Sequence, residues 1–203
     1  MTASTTGCRR QTVTVLFVDI VGFTALIHDL DCADVRDLQV EYFGAVSAVV
    51  RSGGGVVEKY IGDAVMAVFG AYEGDGLDTA AAAGVRAGME VQTALRGRRL
   101  AGRFPVRTRV GLATGDVIVD DDAARAGGYG MISGSVVSTA ARLQAYAPHD
   151  TVVVDAATRR ATDELIAYQE LPPVAVAGKP DPLDLWRALH PQTAPMHHLS
   201  CSL

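Results

Sequence analysis

The sequence is short of cysteine and has no long apolar run. Its three cysteines, Cys8, Cys32 and Cys201, are odd in number and unevenly spaced, which indicates neither a disulfide framework nor a zinc site. The longest apolar candidate, residues 13–27, carries Asp19 in its middle, and no run reaches the roughly 18 residues of a membrane span. The amino-terminal residues lack the apolar stretch of a secretory signal. We therefore expect a soluble, cytoplasmic protein with no membrane partner.

A surplus of basic residues is also missing. Lysine and arginine number 18 against 23 aspartates and glutamates, which gives a formal net charge of −5. A domain that binds nucleic acid normally carries a basic surplus, so we expect no nucleic-acid partner. Hydrophobic residues make up 49% of the 203 positions and charged residues 20%. This composition is sufficient for a folded core and excludes wholesale disorder.

Strand and helix patterns alternate along most of the chain, and the two ends show no periodicity. We predict one domain over 13–190, with flexible tails at 1–12 and 191–203. Within the domain, the predicted elements are a strand over 12–20, helices around 24–30 and 33–51, a hairpin of strands at 56–60 and 64–69, a helix over 75–99, a strand over 107–119 broken by Gly111 and Gly115, a helix over 133–147 and a closing strand over 183–189. This order predicts an α+β fold, a ferredoxin-like sandwich in which helices cover a mostly antiparallel sheet.

Two aspartates stand where a protein core usually forbids charge. Asp19 ends the apolar run 15–18, and Asp63 lies at the tip of the predicted hairpin. A buried carboxylate needs a partner or a cation, and neighbouring strands would bring these two carboxylates together. Divalent ions relieve the repulsion within such a pair. The alternative for each residue is structural: Asp19 caps the helix that follows, and Asp63 is a turn residue.

Candidate phosphate-binding residues follow the first aspartate and recur near residue 140. Gly22, Phe23 and Thr24 join a strand to a helix, and backbone N–H groups at such a helix start suit a triphosphate. Ser138 and Arg142 are four residues apart on a predicted helix, so they share a face on which the arginine can neutralise a phosphate. Taken singly, Gly22 is an ordinary turn glycine and Arg142 a surface arginine.

Four ordered sequence blocks point to a known family. They are FVDIVGFT at 17–24, EKYIGDAVMAVF at 58–69, RVGLATGDV at 109–117, and Gly178-Lys179-Pro180 with the closing strand to Trp186. These blocks resemble, in order, the two metal-binding motifs, the following strand and the C-terminal hairpin of class III nucleotidyl cyclases, the adenylyl and guanylyl cyclases. The resemblance covers residues 13–189 and implies the fold of the class III cyclase homology domain.

The resemblance implies two-metal chemistry on a nucleotide. Asp19, Asp63 and the carbonyl of Ile20 would hold two Mg²⁺ or Mn²⁺ ions, and ATP would be converted to 3′,5′-cyclic AMP and pyrophosphate. Lys59 stands at the family's base-reading position, where lysine accompanies adenine, which favours ATP over GTP. Lys179 lies near the position of the family's phosphate-contacting lysine.

The resemblance also implies a site shared between two chains, with a homodimer as the expected assembly. The helix over 133–147 matches the part that a partner chain supplies, with the motif D-x-x-G-x-x-V-N-x-x-x-R. Arg142, which stabilises charge on the α-phosphate in the family, is retained. Met131 replaces the base-reading aspartate or threonine, and Ser138 replaces the asparagine. Methionine neither accepts a hydrogen bond from adenine nor pairs with Lys59, so we expect reduced activity or selectivity.

Two alternatives stay open from the sequence. A catalytically silent pseudo-cyclase would use this fold as a regulatory dimerisation module, which Met131 and Ser138 favour and the intact Asp19 and Asp63 oppose. The metal-binding residues Asp19 and Asp63 are intact, whereas the motif that a partner chain supplies is altered at Met131 and Ser138. The chain therefore also suits the metal-bearing half of a heterodimer with another cyclase chain. A diguanylate cyclase is disfavoured, because the turn at 60–64 lacks a G-G-D/E-E-F-like hairpin.

Overall fold

A computed structural model describes residues 7–71, 76–125, 131–174 and 182–190. These residues form ten strands and six helices. The strands are β1 (Cys8–Ile20), β2 (Val56–Ile61), β3 (Ala64–Phe69), β4 (Arg99–Leu100), β5 (Phe104–Pro105), β6 (Thr108–Asp120), β7 (Ile132–Ser133), β8 (Thr151–Val154), β9 (Tyr168–Val174) and β10 (Leu183–Ala188). The helices are α1 (Phe23–Ile27), α2 (Cys32–Ser52), α3 (Leu77–Leu95), α4 (Asp121–Arg125), α5 (Ser135–Tyr146) and α6 (Ala156–Thr162).

One large sheet organises the described residues. Its strands follow the order β2-β3-β1-β6-β8-β10-β9, and β7 pairs with β6. Neighbouring strands are antiparallel except β6 and β8, which run parallel. Parallel neighbours need a long crossover, and α5 lies in the connection between these two strands. The predicted α+β fold with a mostly antiparallel sheet covered by helices is confirmed.

Helices cover both faces of the sheet. Helices α2 and α3 share a core with Leu16 and Val18 of β1. Helix α5 packs on the opposite face, where the core includes Val15 and Phe17. Successive strand residues point to opposite faces, so a strand covered on both sides must be apolar nearly throughout. This explains why residues 13–18 are all buried.

The glycines of β6 have a different role from the predicted one. The strand runs without interruption from Thr108 to Asp120, so the predicted break at Gly111 and Gly115 is wrong. A Cβ atom at Gly111 would lie 2.1 Å from the backbone nitrogen of Gln144 in α5. The absence of a side chain there lets the helix approach the strand closely.

Two element boundaries also differ from the prediction. Strand β1 begins at Cys8 and not at residue 12, so residues 8–12, part of the predicted amino-terminal tail, pair with residues 116–120 of β6. Helix α3 ends at Leu95, four residues before the predicted end at 99. The chain turns at Gly97, whose φ is +70°, and continues into the short β4–β5 hairpin. The tail at 191–203 lies outside the described residues. No helix in the described ranges is long and apolar enough to cross a membrane.

Candidate functional site

The end of β1 and the β2–β3 turn bring Asp19 and Asp63 together. Strand β3 is the antiparallel neighbour of β1, with Val18 opposite Val65, so the turn before β3 lies beside the last residues of β1. Asp63 Oδ2 accepts a hydrogen bond from the backbone N–H of Ile20 at 3.1 Å. The carboxyl group of Asp19 lies close enough to Asp63 to raise the pKa of Asp63.

The surroundings of Asp63 oppose its ionisation. Burial raises the pKa of Asp63 to about 7, and the neighbouring carboxyl group of Asp19 acts in the same direction. The backbone N–H of Ile20 offsets part of this rise. Gln144 of α5 donates a hydrogen bond from Nε2 to Asp19 Oδ2 at 3.1 Å. Sequence reasoning missed Gln144, because a buried glutamine on an otherwise apolar helix face has no motif of its own.

A buried phenol adjoins the aspartate pair. Tyr42 of α2 is fully buried, and its hydroxyl has no hydrogen-bond partner among the described residues. Burial raises the pKa of Tyr42, and the nearby charges of Asp19 and Asp63 raise it further. An unpartnered buried hydroxyl indicates a polar site that the protein atoms leave incomplete. The sequence reveals Tyr42 only as a core aromatic in a helical pattern.

The aspartate pair fits a divalent cation. Within the described ranges, no group of three or more His, Cys, Asp or Glu side chains is placed to hold a metal ion. Mg²⁺, however, usually takes one or two carboxylates and completes its shell with water and substrate phosphate oxygens. Asp19 and Asp63 provide that number, and a cation between them would remove the repulsion that favours the protonated form of Asp63.

The loop after β1 enters α1 at Gly22. Its φ of +72° is a left-handed conformation that favours glycine, and no side chain caps the N-terminus of α1. Phe23 is buried in the core shared with α2 and α3, whereas Thr24 is exposed. The first N–H groups of α1 are therefore left for another acceptor, as an anion-binding turn requires.

Lys59 lies on β2 next to a glutamate that sequence reasoning did not single out. Its Nζ atom is 3.2 Å from Oε2 of Glu58, and the side-chain exposures are 28% for Lys59 and 0% for Glu58. Glu58 is the first residue of the second sequence block, directly after two valines. A charged residue directly after two apolar strand residues is the sequence feature that could have pointed to Glu58.

Ser138 and Arg142, the α5 residues expected to serve the site of a partner chain, do not face the aspartates of their own chain. Ser138 is exposed and Arg142 is half-buried, and among the described residues neither one hydrogen-bonds to the aspartate pair. Helical residues two positions apart project about 200° apart. Arg142 therefore points away from the side of α5 on which Gln144 contacts Asp19.

Met131 has an unexpected position. Its side chain is 0% exposed and belongs to the core between the sheet and α5. In this single chain the Met131 side chain therefore presents no surface to a nucleotide. Lys179, Gly178 and Pro180 lie outside the described residues.

Comparison with known proteins identifies the class of domain. The family model for the adenylate and guanylate cyclase catalytic domain matches residues 7–190. The chain therefore belongs to this family, whose members typically work as dimers on a nucleotide with two metal ions.

One relative and two solved structures are similar to this chain. An uncharacterized protein of Rhizobium meliloti (strain 1021) is 31% identical over 188 residues, which is 92% of this chain and 18% of that protein. The adenylyl cyclase CyaB from P. aeruginosa has a similar structure, with a TM-score of 0.79 and 25% identity over 92% of this chain and 97% of that one. The guanylate cyclase domain of RhGC from Catenaria anguillulae, in complex with GTP, shares the fold at a TM-score of 0.77 and 20% identity, over 89% and 98% of the two chains. The chain thus spans less than a fifth of the length of the Rhizobium relative.

Proposed function

We propose that this chain is an adenylate cyclase-like catalytic domain that converts ATP to 3′,5′-cyclic AMP and pyrophosphate, with reduced activity or selectivity. The observation that carries the proposal is the contact between Asp19 and Asp63 at the end of β1, where Asp63 has a raised pKa. A carboxylate pair of this kind suits two-metal phosphoryl chemistry. The likeness to CyaB supports a cyclase reaction.

In this proposal the chain's own residues bind and orient the triphosphate end of ATP. Asp19, Asp63 and the carbonyl of Ile20 would hold two Mg²⁺ or Mn²⁺ ions, which lower the pKa of the ribose 3′-hydroxyl and neutralise phosphate charge when bound. Gln144 keeps Asp19 in place through its hydrogen bond. The uncapped turn at Gly22 contacts phosphate oxygens through backbone N–H groups. The ribose 3′-hydroxyl gives its proton to solvent, and its oxygen bonds to the α-phosphorus as the bond to pyrophosphate breaks.

A second copy of the chain completes the site. Arg142 projects from the side of α5 that faces away from Gln144, so it would stabilise α-phosphate charge in the site of the other copy. Ser138 shares that face and is shorter than an asparagine, which loosens ribose positioning. Lys59 donates to the adenine ring and gives the preference for ATP. The lack of a base contact from Met131 weakens that preference.

Cyclic-nucleotide synthesis by the purified chain tests the proposal. With Mn²⁺ present, ATP and GTP are offered separately to the wild type, to Asp63→Asn and to Asp163→Asn, an exposed aspartate beyond α6 that serves as the control. We expect cyclic AMP from the wild type and the control, and none from Asp63→Asn. Equal product from Asp63→Asn, or no product from the wild type at high protein concentration, contradicts the proposal.

The burial of Met131 favours a second candidate function. A pseudo-cyclase would keep the dimer and bind ATP without turnover. A chain that binds ATP, forms a dimer and makes no cyclic nucleotide under these conditions would have this function.

A further inference from the structure

Strand β2 contains a bulge at the position of Glu58. Val57 is opposite Ala67 and Lys59 is opposite Met66, so the pairing skips Glu58. In a regular strand, residues 58 and 59 would point to opposite faces of the sheet. A bulge adds one residue and changes the direction of the neighbouring side chains, and bulges are frequent next to active sites. Here it allows the two adjacent side chains to meet, with Lys59 Nζ 3.2 Å from Glu58 Oε2.

The carboxylate of Glu58 is buried, and burial of a charged group is unfavourable. Its side chain is 0% exposed, and neither carboxylate oxygen accepts a hydrogen bond from the described residues. A buried carboxylate is tolerated when a cation lies close to it. The ammonium group of Lys59 is that cation. The attraction in turn restrains a long lysine side chain that would otherwise sample many rotamers.

We propose that Glu58 is a positioning residue that holds the ammonium of Lys59 and thereby sets the base preference of the nucleotide site. This inference rests on the proposed function. The position that carries a base-reading carboxylate in similar cyclases is occupied by Met131, which is buried and has no group that pairs with an ammonium. Glu58 supplies a carboxylate to Lys59 from within the same strand. Held beside Glu58 by charge attraction, the ammonium donates to the ring nitrogen N1, which is an acceptor in adenine and a donor in guanine.

Nucleotide binding and turnover in a double-mutant cycle test this inference. The variants are Glu58→Gln, Lys59→Met and the double variant, with Glu170→Gln as the control because Glu170 is an exposed strand glutamate on β9. Affinities are measured for the α,β-methylene analogues of ATP and GTP, in which a carbon atom replaces the oxygen that would leave. KM and kcat are measured with ATP and GTP. Glu58→Met, which removes the charge and fills the volume, replaces Glu58→Gln if that variant fails to fold.

We expect Glu58→Gln to lower the affinity for the ATP analogue about tenfold and to raise the KM for ATP by the same factor. The kcat and the affinity for the GTP analogue should not change. In the Lys59→Met background, the same change has no further effect on either nucleotide. A merely structural role for Glu58 predicts equal losses for both nucleotides, with or without Lys59.

The outcomes separate this inference from the proposed function. If the wild type binds the ATP analogue and Glu58→Gln binds it equally well, Glu58 does not position Lys59 and the inference is overturned alone. If the wild type binds neither analogue, the proposed function fails and the inference fails with it.

Discussion

Among single residues, Asp63 has the environment with the clearest energetic consequence. Its pKa is about 7 in the folded chain, chiefly because of burial and then because of Asp19. In the unfolded chain its pKa returns to the ordinary value of 3.8. A raised folded-state pKa contributes stability at low pH that is lost as the pH rises through the folded value. The metal-free chain should therefore lose stability between about pH 4 and pH 7.

Removing this charge should stabilise the metal-free chain. We expect Asp63→Asn to raise the Tm by a few degrees at pH 8 in EDTA, and by less at pH 5, where Asp63 of the folded wild type is already protonated. Solvent screening at this half-buried site keeps the effect modest. Thermal unfolding at the two pH values measures it, with Asp163→Asn as an exposed control. A lower Tm for Asp63→Asn at pH 8 would show that the repulsion is not the dominant effect.

Divalent ions should make the wild type more stable than Asp63→Asn. In the proposed site Mn²⁺ would bind the folded aspartate pair and not the unfolded chain, so we expect it to raise the Tm of the wild type and to leave the Tm of Asp63→Asn unchanged. Equal shifts in both proteins would place the binding of Mn²⁺ elsewhere.

At the level of secondary-structure elements, the contact between β6 and α5 joins the core to the site. Gly111 lets α5 approach the strand, and Gln144 on the same turn of α5 hydrogen-bonds to Asp19. A displacement of α5 would therefore disturb the aspartate pair as well as the packing of the sheet.

A side chain at Gly111 should be costly. A Cβ atom there would lie 2.1 Å from Gln144 N and 2.7 Å from the Ala140 carbonyl oxygen, and both are backbone atoms that cannot move alone. We expect Gly111→Ala to lower the free energy of unfolding by about 3 kcal/mol or more, as overpacking does. Urea unfolding measures this loss.

Gly44 provides the matched control. It lies inside α2, and a Cβ atom there would meet nothing within 4 Å. We expect Gly44→Ala to raise the free energy of unfolding by about 0.5–1 kcal/mol, since alanine is the better helix former. Equal effects of the two substitutions would mean that the close approach of α5 is unimportant for stability.

In the whole molecule, the two halves of the proposed site lie on different sides of α5. Asp19 meets Gln144 on the sheet side, and Arg142 projects from the other side of the helix. A single chain thus contains the parts of the proposed catalytic site without bringing them together. A symmetric dimer would create two equivalent sites, each with aspartates from one copy and an arginine from the other.

Mixing two inactive variants should restore activity. We expect Asp63→Asn and Arg142→Ala to be inactive alone, because each lacks one half of every site. An equal mixture should regain about a quarter of the wild-type rate, since half of the dimers are mixed and each mixed dimer has one intact site. Cyclic AMP synthesis after refolding the mixture measures this recovery. No recovery, in spite of mixed dimers, would show that Arg142 acts within its own chain.

Local pattern determined much of the architecture. The apolar run before Asp19 predicts a strand buried on both faces, and the spacing to the Gly62-Asp63 turn predicts the hairpin. The place where the two aspartates meet follows from adjacent strands, which is why the candidate metal site was accessible to sequence reasoning. Periodicity and turn chemistry are properties of neighbouring residues, so they can be recognised along the chain.

Only the tertiary structure decided how side chains from distant segments meet. The bulge that brings Glu58 to Lys59 depends on the pairing register with β3. The burial of Met131 and the contact of Gln144 with Asp19 depend on how α5 lies on the sheet. The prediction that Gly111 breaks its strand is wrong, because the glycine is needed for contact with a helix more than 20 residues away in the chain. Register and approach distance are set by packing of the whole domain, and no local pattern records them.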